Sequence, residues 1–268
     1  FEASWMKGLL SVEFDYFQRN RSGLPATRAG SLPTTFGQSM PQENLNSDKN
    51  RGFELVLGHM NTVGDFRYQV SANFSATRIL NDYVEREAAT NMYDNWRNNS
   101  NGRYKDIRWG KKVIGQFQSY EEILNSPVQD GNGNKSLLPG DLKFQDWNND
   151  GVIDGNDEKP IGYGSSPRMY YGLNLSAEYK GFDLTLFFQG AAGHDIYING
   201  DVLEPFIQQG LGNGFAIQNN RWHREAPTDP YRKWIPGEMP PLPPAGFSEN
   251  RSHNSWSLHK ALNLVLTT

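Results

Sequence analysis

Phe66-Arg67-Tyr68-Gln69-Val70-Ser71-Ala72-Asn73-Phe74-Ser75-Ala76-Thr77 decides the fold class. Successive side chains of an extended chain point to opposite sides, so Phe66, Tyr68, Val70, Ala72, Phe74 and Ala76 share one face. Arg67, Gln69, Ser71, Asn73, Ser75 and Thr77 share the other. The stretch is a strand with one dry and one wet side. Period-two alternation recurs along the chain, whereas helical periodicity is nearly absent.

Residues 171–188 repeat the pattern as a hairpin. Lys180-Gly181 is its two-residue turn, with Gly at the second central position of a type I′ turn, where φ is positive. The turn sets Tyr179 opposite Phe182, Ala177 opposite Leu184, Leu175 opposite Leu186 and Leu173 opposite Phe188. Every pair on that face is apolar. The other face pairs Asn174 with Phe187, Ser176 with Thr185 and Glu178 with Asp183. Two acids directly opposed are unfavourable, which predicts a hydrated face near the turn. Tyr171 and Tyr179 close the two ends of the apolar face. Eight residues at about 3.3 Å each, tilted roughly 40°, cover about 20 Å, close to the apolar band of an outer-membrane barrel with its aromatic girdles.

Weaker strands are expected at residues 7–20, at 51–59 with Phe53, Leu55 and Leu57 on one face, and at 258–267. The turns at 60–64 and 180–181 are short. The segments 21–50, 79–168 and 191–256 are long and rich in Gly, Pro, Asn and aromatic residues. Strict alternation puts all the long connections at one end of the sheet, as in outer-membrane barrels. The expected fold is therefore all-β, an antiparallel transmembrane β-barrel segment with about six strands of a larger barrel and long extracellular loops.

Composition agrees. No apolar run approaches the roughly 20 residues of a membrane helix, and mean hydropathy is −0.69. Strands that carry apolar residues only alternately escape that test. Thirty acidic against 26 basic residues give a net charge of −4 without any basic run, which argues against a nucleic-acid partner. There is no cysteine, so disulfides, thiolate metal sites and thiol nucleophiles are excluded. Phe1 to Trp5 has neither a charged leader region nor an initiator Met, and the expectation is a start inside a longer gene product.

One motif carries explicit chemistry. Asp146-Trp147-Asn148-Asn149-Asp150-Gly151-Val152-Ile153-Asp154-Gly155-Asn156-Asp157 follows the calcium-loop pattern. Asp146, Asn148 and Asp150 supply oxygens at positions 1, 3 and 5, and Gly151 makes the sharp turn at 6. The Val152 carbonyl at 7, Asp154 at 9 and Asp157 at 12 complete a predicted structural Ca²⁺ site. Asp in place of Glu at position 12 has a shorter reach, and no helix flanks the loop, so a clip rather than a helix-pair switch is expected. Ile153 at position 8 is the residue that packs such a loop onto its support.

Other constellations carry less. Gly210-Leu211-Gly212-Asn213-Gly214 lacks the strand and helix of a phosphate cradle. His59, His194, His223, His253 and His259 have no metal-ligand spacing, and Glu85/Glu87 and Glu121/Glu122 read as solvated pairs. No catalytic residue is identified. Trp96, Trp109, Trp147, Trp222 and Trp234 fall in the long segments, where they either stack on sugar rings or pack the loops.

Gly140-Asp141-Leu142-Lys143-Phe144, the calcium-like loop, Ile161-Gly162, Tyr171-Gly172-Leu173-Asn174-Leu175, Tyr179-Lys180-Gly181-Phe182-Asp183-Leu184 and Phe188-Gln189-Gly190 together resemble the C-terminal region of SusC/RagA-type TonB-dependent transporters. Asp15-Tyr16-Phe17-Gln18-Arg19-Asn20 and Asn50-Arg51-Gly52-Phe53-Glu54-Leu55 resemble earlier strands of the same barrels. The resemblance implies a barrel of about 22 strands in the outer membrane of Bacteroidetes. It implies nutrient uptake of glycan fragments or peptides driven by TonB, and a SusD-like surface lipoprotein acting as a lid. On this reading residues 1–268 are part of the barrel, residues 140–158 hold the calcium-type loop in an extracellular excursion, and the plug with its TonB-contacting region lies outside the chain. Asn254-Ser255-Trp256 leads into a C-terminus without the family's final aromatic, which suggests a truncated or frame-shifted product. The alternatives are a secreted, calcium-stabilised β domain that binds carbohydrate, and a glycan-degrading enzyme, which needs two carboxylates about 5 to 9.5 Å apart.

Overall fold

The computed structural model describes residues 1–28, 40–198, 213–242 and 254–267. In chain order it begins with β1 (Glu2–Trp5), β2 (Leu10–Thr27), β3 (Gln42–Val63) and β4 (Phe66–Tyr83). Then come α1 (Met92–Asn98), β5 (Ile107–Gly110), β6 (Val113–Gln116), α2 (Tyr120–Leu124), β7 (Leu142–Phe144) and β8 (Lys159–Tyr163). It ends with β9 (Met169–Tyr179), β10 (Phe182–Tyr197), β11 (His223–Arg224), β12 (Trp234–Ile235) and β13 (Leu258–Thr267). A seven-stranded sheet runs β1-β2-β3-β4-β9-β10-β13, and every pairing from β1 through β10 is antiparallel.

The hairpin register is the one the sequence predicts. Tyr179 faces Phe182, Glu178 faces Asp183 and Leu173 faces Phe188. Lys180 and Gly181 have φ of 47° and 88°, the positive values a type I′ turn demands at both central positions. The turn expected at 60–64 narrows to Gly64-Asp65, because Val63 and Phe66 already pair.

Through these registers the alternation of one strand becomes a property of the whole sheet. Val12, Leu57, Ala72 and Leu173 lie in one row across β2, β3, β4 and β9, and Val70, Leu175 and Leu186 in another. Near the short turns Val63, Phe66, Tyr179 and Phe182 form an aromatic-rich row, with the Phe66 and Tyr179 rings 6.4 Å apart. At the other end the Phe14, Phe53 and Phe74 rings follow one another, tilted, with centroids 6.3 and 5.7 Å apart. Among the described residues nothing covers this face: Phe14, Phe53, Leu57, Phe66 and Leu184 are all exposed, Leu184 by 57%. The buried apolar side chains among the described residues are Phe117, Ile123, Leu137, Leu142, Phe144, Ile153, Trp222 and Met239, and none belongs to the sheet.

Three features differ from expectation. The sheet has seven strands rather than about six, because β1 precedes a 3₁₀ turn at Met6–Gly8 and pairs with β2. Strands β2, β3 and β4 span 18, 22 and 18 residues, so residues 21–27 and 42–50 of the segment expected as a loop at 21–50 are strand. Hydrophobic alternation marks a strand only where one face is dry. Beyond the apolar rows both faces are polar, and backbone pairing continues unannounced. Finally, the described residues of the long segments 79–168 and 191–256 form strands, short helices and cores of their own. The chain divides into two compact units, Phe1–Asp106 with Tyr163–Asp195 and Lys260–Thr268, and Ile107–Gly162 with Ile196–His259. The second unit has its own small cores, Phe117 with Ile123 and Leu137, and Leu142 with Phe144 and Ile153.

The polar part of the long strands is held by ion pairs. Buried Asp48 accepts from Arg21 Nε at 2.8 Å and from Lys105 Nζ at 2.6 Å. The Arg21 hydrogen bonds, with those of Lys105, outweigh burial and hold the Asp48 carboxyl at about 2. A depressed carboxyl pKa contributes stability that is complete above its ordinary value near 4 and is lost as pH falls through about 2. Asp48→Asn is therefore expected to cost about 2 kcal/mol at pH 7 and to flatten acid melting between about pH 4 and 2, followed by thermal unfolding across that range.

Candidate metal centre

The loop at residues 146–157 sits between β7 and β8. Its path needs positive φ twice, at Asn149 (57°) and Gly151 (83°), which is why Asn and Gly stand there. Asp146 Oδ2 accepts from the Gly151 amide at 2.9 Å, drawing position 6 back over position 1. Asn148 Oδ1 accepts from Asp150 N at 3.0 Å, Asp150 Oδ1 from Val152 N at 2.9 Å, and Asp154 Oδ1 from Asn156 N at 2.7 Å. Asp157 is fully buried and ties the loop's ends: Oδ1 accepts from Trp147 N at 2.6 Å and Oδ2 from Asp154 N at 2.9 Å.

The support of the loop is as the sequence predicts. Ile153 packs with Leu142 and Phe144, and Val113 and Trp256 lie against that cluster. Val128 adds a clamp: its amide donates to Gly151 O at 2.9 Å, and its carbonyl accepts from Ile153 N at 2.7 Å. Just beyond Val128 the chain forms a second Asp/Asn/Gly loop, in which Asp130, Asn132 and Asn134 repeat the spacing of calcium-loop positions 1, 3 and 5 but Lys135 stands where the pattern needs Gly at 6. Asp130 there accepts from the amides of Asn132, Asn134 and Ser136 at 2.7, 2.7 and 2.9 Å. Burial works the other way, yet the Ser136 and Asn132 amides hold the Asp130 carboxyl below its usual range. That loop is closed upon itself.

The six predicted ligand positions are thus gathered in one loop. Among the described residues no three His, Asp or Glu side chains converge as a ligand cluster, since the carboxylates are turned onto backbone amides. Two observations fit a hard divalent cation. The donor set is all oxygen. Asp146 Oδ1, at position 1, is buried and has no hydrogen-bond partner.

The tryptophans divide by role. Trp222 is buried, with Nε1 donating to Gln116 at 3.3 Å and the ring lying over Gly140, where a Cβ would come within 2.2 Å. It packs the second unit and is closed to ligands. Trp147 is 48% exposed, with Lys159 Nζ 3.8 Å above its ring, and Trp96 is exposed beside Tyr93. Trp234 lies under Arg224 at 5.2 Å, and Trp109 is half-buried. His59 bonds Tyr68 OH at 2.9 Å, His194 is buried, and His223 contacts Arg221 O. His253 and residues 210–212 lie outside the described residues.

Comparison with known proteins supports the resemblance. No family model matches the chain. TonB-dependent receptor P26 of Formosa agariphila is 25% identical over 94% of this chain and 25% of its own length. TonB-dependent receptor P3 of the same organism is 31% identical over 80% of this chain and 21% of its own length. The chain thus spans about a quarter of the curated relatives it matches. In fold it is similar to the RagAB peptide importer, with TM-scores of 0.64 to the open-open state and 0.61 to the closed-closed state. Identity to both is 18%, over 98 and 99% of this chain and 26 and 27% of those.

The hydrogen bonds rank the loop's acids. Asp157→Ala strands backbone amides in a buried place and is expected to cost about 3 kcal/mol, with faster hydrogen exchange at the Trp147 and Asp154 amides. Asp150→Ala, at an exposed position, should cost less than about 1 kcal/mol in the same exchange experiment without added metal.

Proposed function

We propose that the chain is of the SusC/RagA type of TonB-dependent transporter and forms part of the barrel wall of such a protein in the bacterial outer membrane. One observation carries this reading: a seven-stranded sheet whose apolar face is continuous, uncovered and bounded by two aromatic rows, with no buried apolar core of its own among the described residues. Hydrocarbon around the barrel would supply the missing apolar partner, and the aromatic rows would sit at its two boundaries. The opposite face, with Ser71, Asn73, Asn174 and Ser176, would line the polar interior. A secreted soluble domain is not favoured, because it would have to cover the apolar face.

The antiparallel order sets the orientation. Connections at Met6–Gly8, Gly64-Asp65 and Lys180-Gly181 leave one end of the sheet, which would face the periplasm. The long connections leave the other and would form the outer face. The transported ligand is a peptide or a glycan fragment. The similarity in fold to the RagAB peptide importer supports peptide as one ligand class. A SusD-like lipoprotein would lie over the long connections, and energy would reach the barrel through TonB contacts in the rest of the protein.

The loop at 146–157 would hold Ca²⁺ through Asp146, Asn148, Asp150, the Val152 carbonyl, Asp154 and Asp157. Bound there, the ion would neutralise the loop's acids and stiffen it. Ile153 and Val128 would carry that rigidity into the second unit's core. The role is structural, with no reaction attached.

The row Val70, Leu175, Leu186 lies four residues from each aromatic row, at the middle of the proposed band. Leu175→Arg should destabilise the membrane-inserted protein by about 2–4 kcal/mol, whereas Asn174→Arg, on the opposite face, should be nearly neutral. Denaturant unfolding from vesicles distinguishes them, and equal effects would overturn the lipid assignment. For the loop, calorimetry should give Ca²⁺ binding heat with the native protein and none with an Asp146→Ala, Asp150→Ala double variant. Equal heats would dispose of the metal site.

A further inference from the structure

The outward face does not end at the aromatic row. Tyr16, Phe53 and Ala76 are cross-strand neighbours, and two residues further from the short turns, on the same face, come Gln18, Arg51 and Arg78. Two residues advance about 6.6 Å along a strand, or about 5 Å along the barrel axis at the usual tilt. Arg51 and Arg78 are directly opposed in the register, an arrangement that repels unless an anion lies between them.

The charges around this pair are not balanced. Arg78 Nε reaches both oxygens of Asp106 at 2.9 and 3.0 Å, and Arg168 Nε shares that carboxylate at 3.5 Å. One carboxylate therefore serves two guanidinium groups. Their positions are fixed, Arg78 lying 3.7 Å over the Tyr104 ring and Arg168 3.7 Å over the Tyr163 ring. Lys49, on the same face as Arg51, is bonded to Asp82, the acid whose titration also feels Arg51. Four cations thus face two acids. Arg51 is exposed and forms no ion pair among the described residues. None of these charges interrupts the apolar rows below.

We propose that Arg51 and Arg78, above Tyr16 and Phe53, bind the phosphate group of an outer-leaflet lipid. The inference rests on the barrel reading, which makes this face the lipid side. A lipid is the occupant because the cations stand immediately beyond an aromatic row and an uncovered apolar face. An amphiphile meets both at once: acyl chains lie on the Val70, Leu173 and Leu175 surface and the phosphate reaches the arginines. Guanidinium groups suit this task, since they grip phosphate oxygens in pairs and remain charged at any physiological pH.

The test uses the whole protein purified in detergent from outer membranes and incubated with lipid A, a phosphate-bearing glycolipid, with retention read by native mass spectrometry. Retention by R51Q should fall about fivefold, the equivalent of about 1 kcal/mol for one cation near an anionic surface. R51K, which keeps the charge, should retain most of the lipid, and inorganic phosphate alone should not displace it. Equal retention by native protein and R51Q, or displacement by inorganic phosphate, would overturn the lipid site while leaving the barrel reading intact. Absence of the protein from the outer-membrane fraction would overturn both.

Discussion

The cross-strand register is the constraint on which the rest of this molecule depends. Side chains alternate faces with a period of two, so a slip of one residue in any strand would carry its apolar set to the wet side. Two-residue turns at Gly64-Asp65 and Lys180-Gly181 prevent the slip, because each fixes the first pair of its hairpin. From those pairs the alternation of Phe66, Tyr68, Val70 and Phe74 aligns with that of Leu173, Leu175, Leu184 and Leu186. The result is one apolar surface made from strands that are each only half apolar.

That surface reverses the usual arrangement of a folded chain. Soluble sheets bury their apolar face against a second layer, and the burial stabilises them. Among the described residues here, the large buried apolar side chains all belong to the second unit, while the sheet's own buried residues include Asp48, Asn81, His194 and Asp195. Hydrogen bonds and ion pairs organise the polar reach of the sheet, as Asp48 with Arg21 and Lys105 illustrates. The division matches a wall with two solvents, hydrocarbon outside the apolar rows and water around the polar ones.

The loop at 146–157 obeys the opposite logic. It belongs to the unit that does have a core, and its acids are mostly satisfied by their own backbone. Ile153 and the Val128 clamp fix it on the Leu142 and Phe144 cluster. The buried Asp146 Oδ1, without a hydrogen-bond partner, is the exception in this otherwise self-sufficient loop.

Much of this was legible in the sequence, for a definite reason. Alternation, the Lys180-Gly181 turn and the Asp and Asn oxygens at fixed spacing are local signals, set by backbone geometry over a few residues. They gave the all-β class, the hairpin register and the makeup of the loop. Where both faces of a strand are wet, as at Arg21 and Asp48, composition looks like a loop, and only the ladder reveals the strand. The second unit's core was hidden too, because Phe117, Ile123 and Leu137 are scattered among polar residues and meet only on folding. The opposition of Arg51 and Arg78, and the Asp106 carboxylate that Arg78 shares with Arg168, could not be read at all from positions so far apart. Sequence determines which residues alternate. Tertiary structure decides which of them become neighbours, since long-range pairing depends on registers that accumulate from turn to turn.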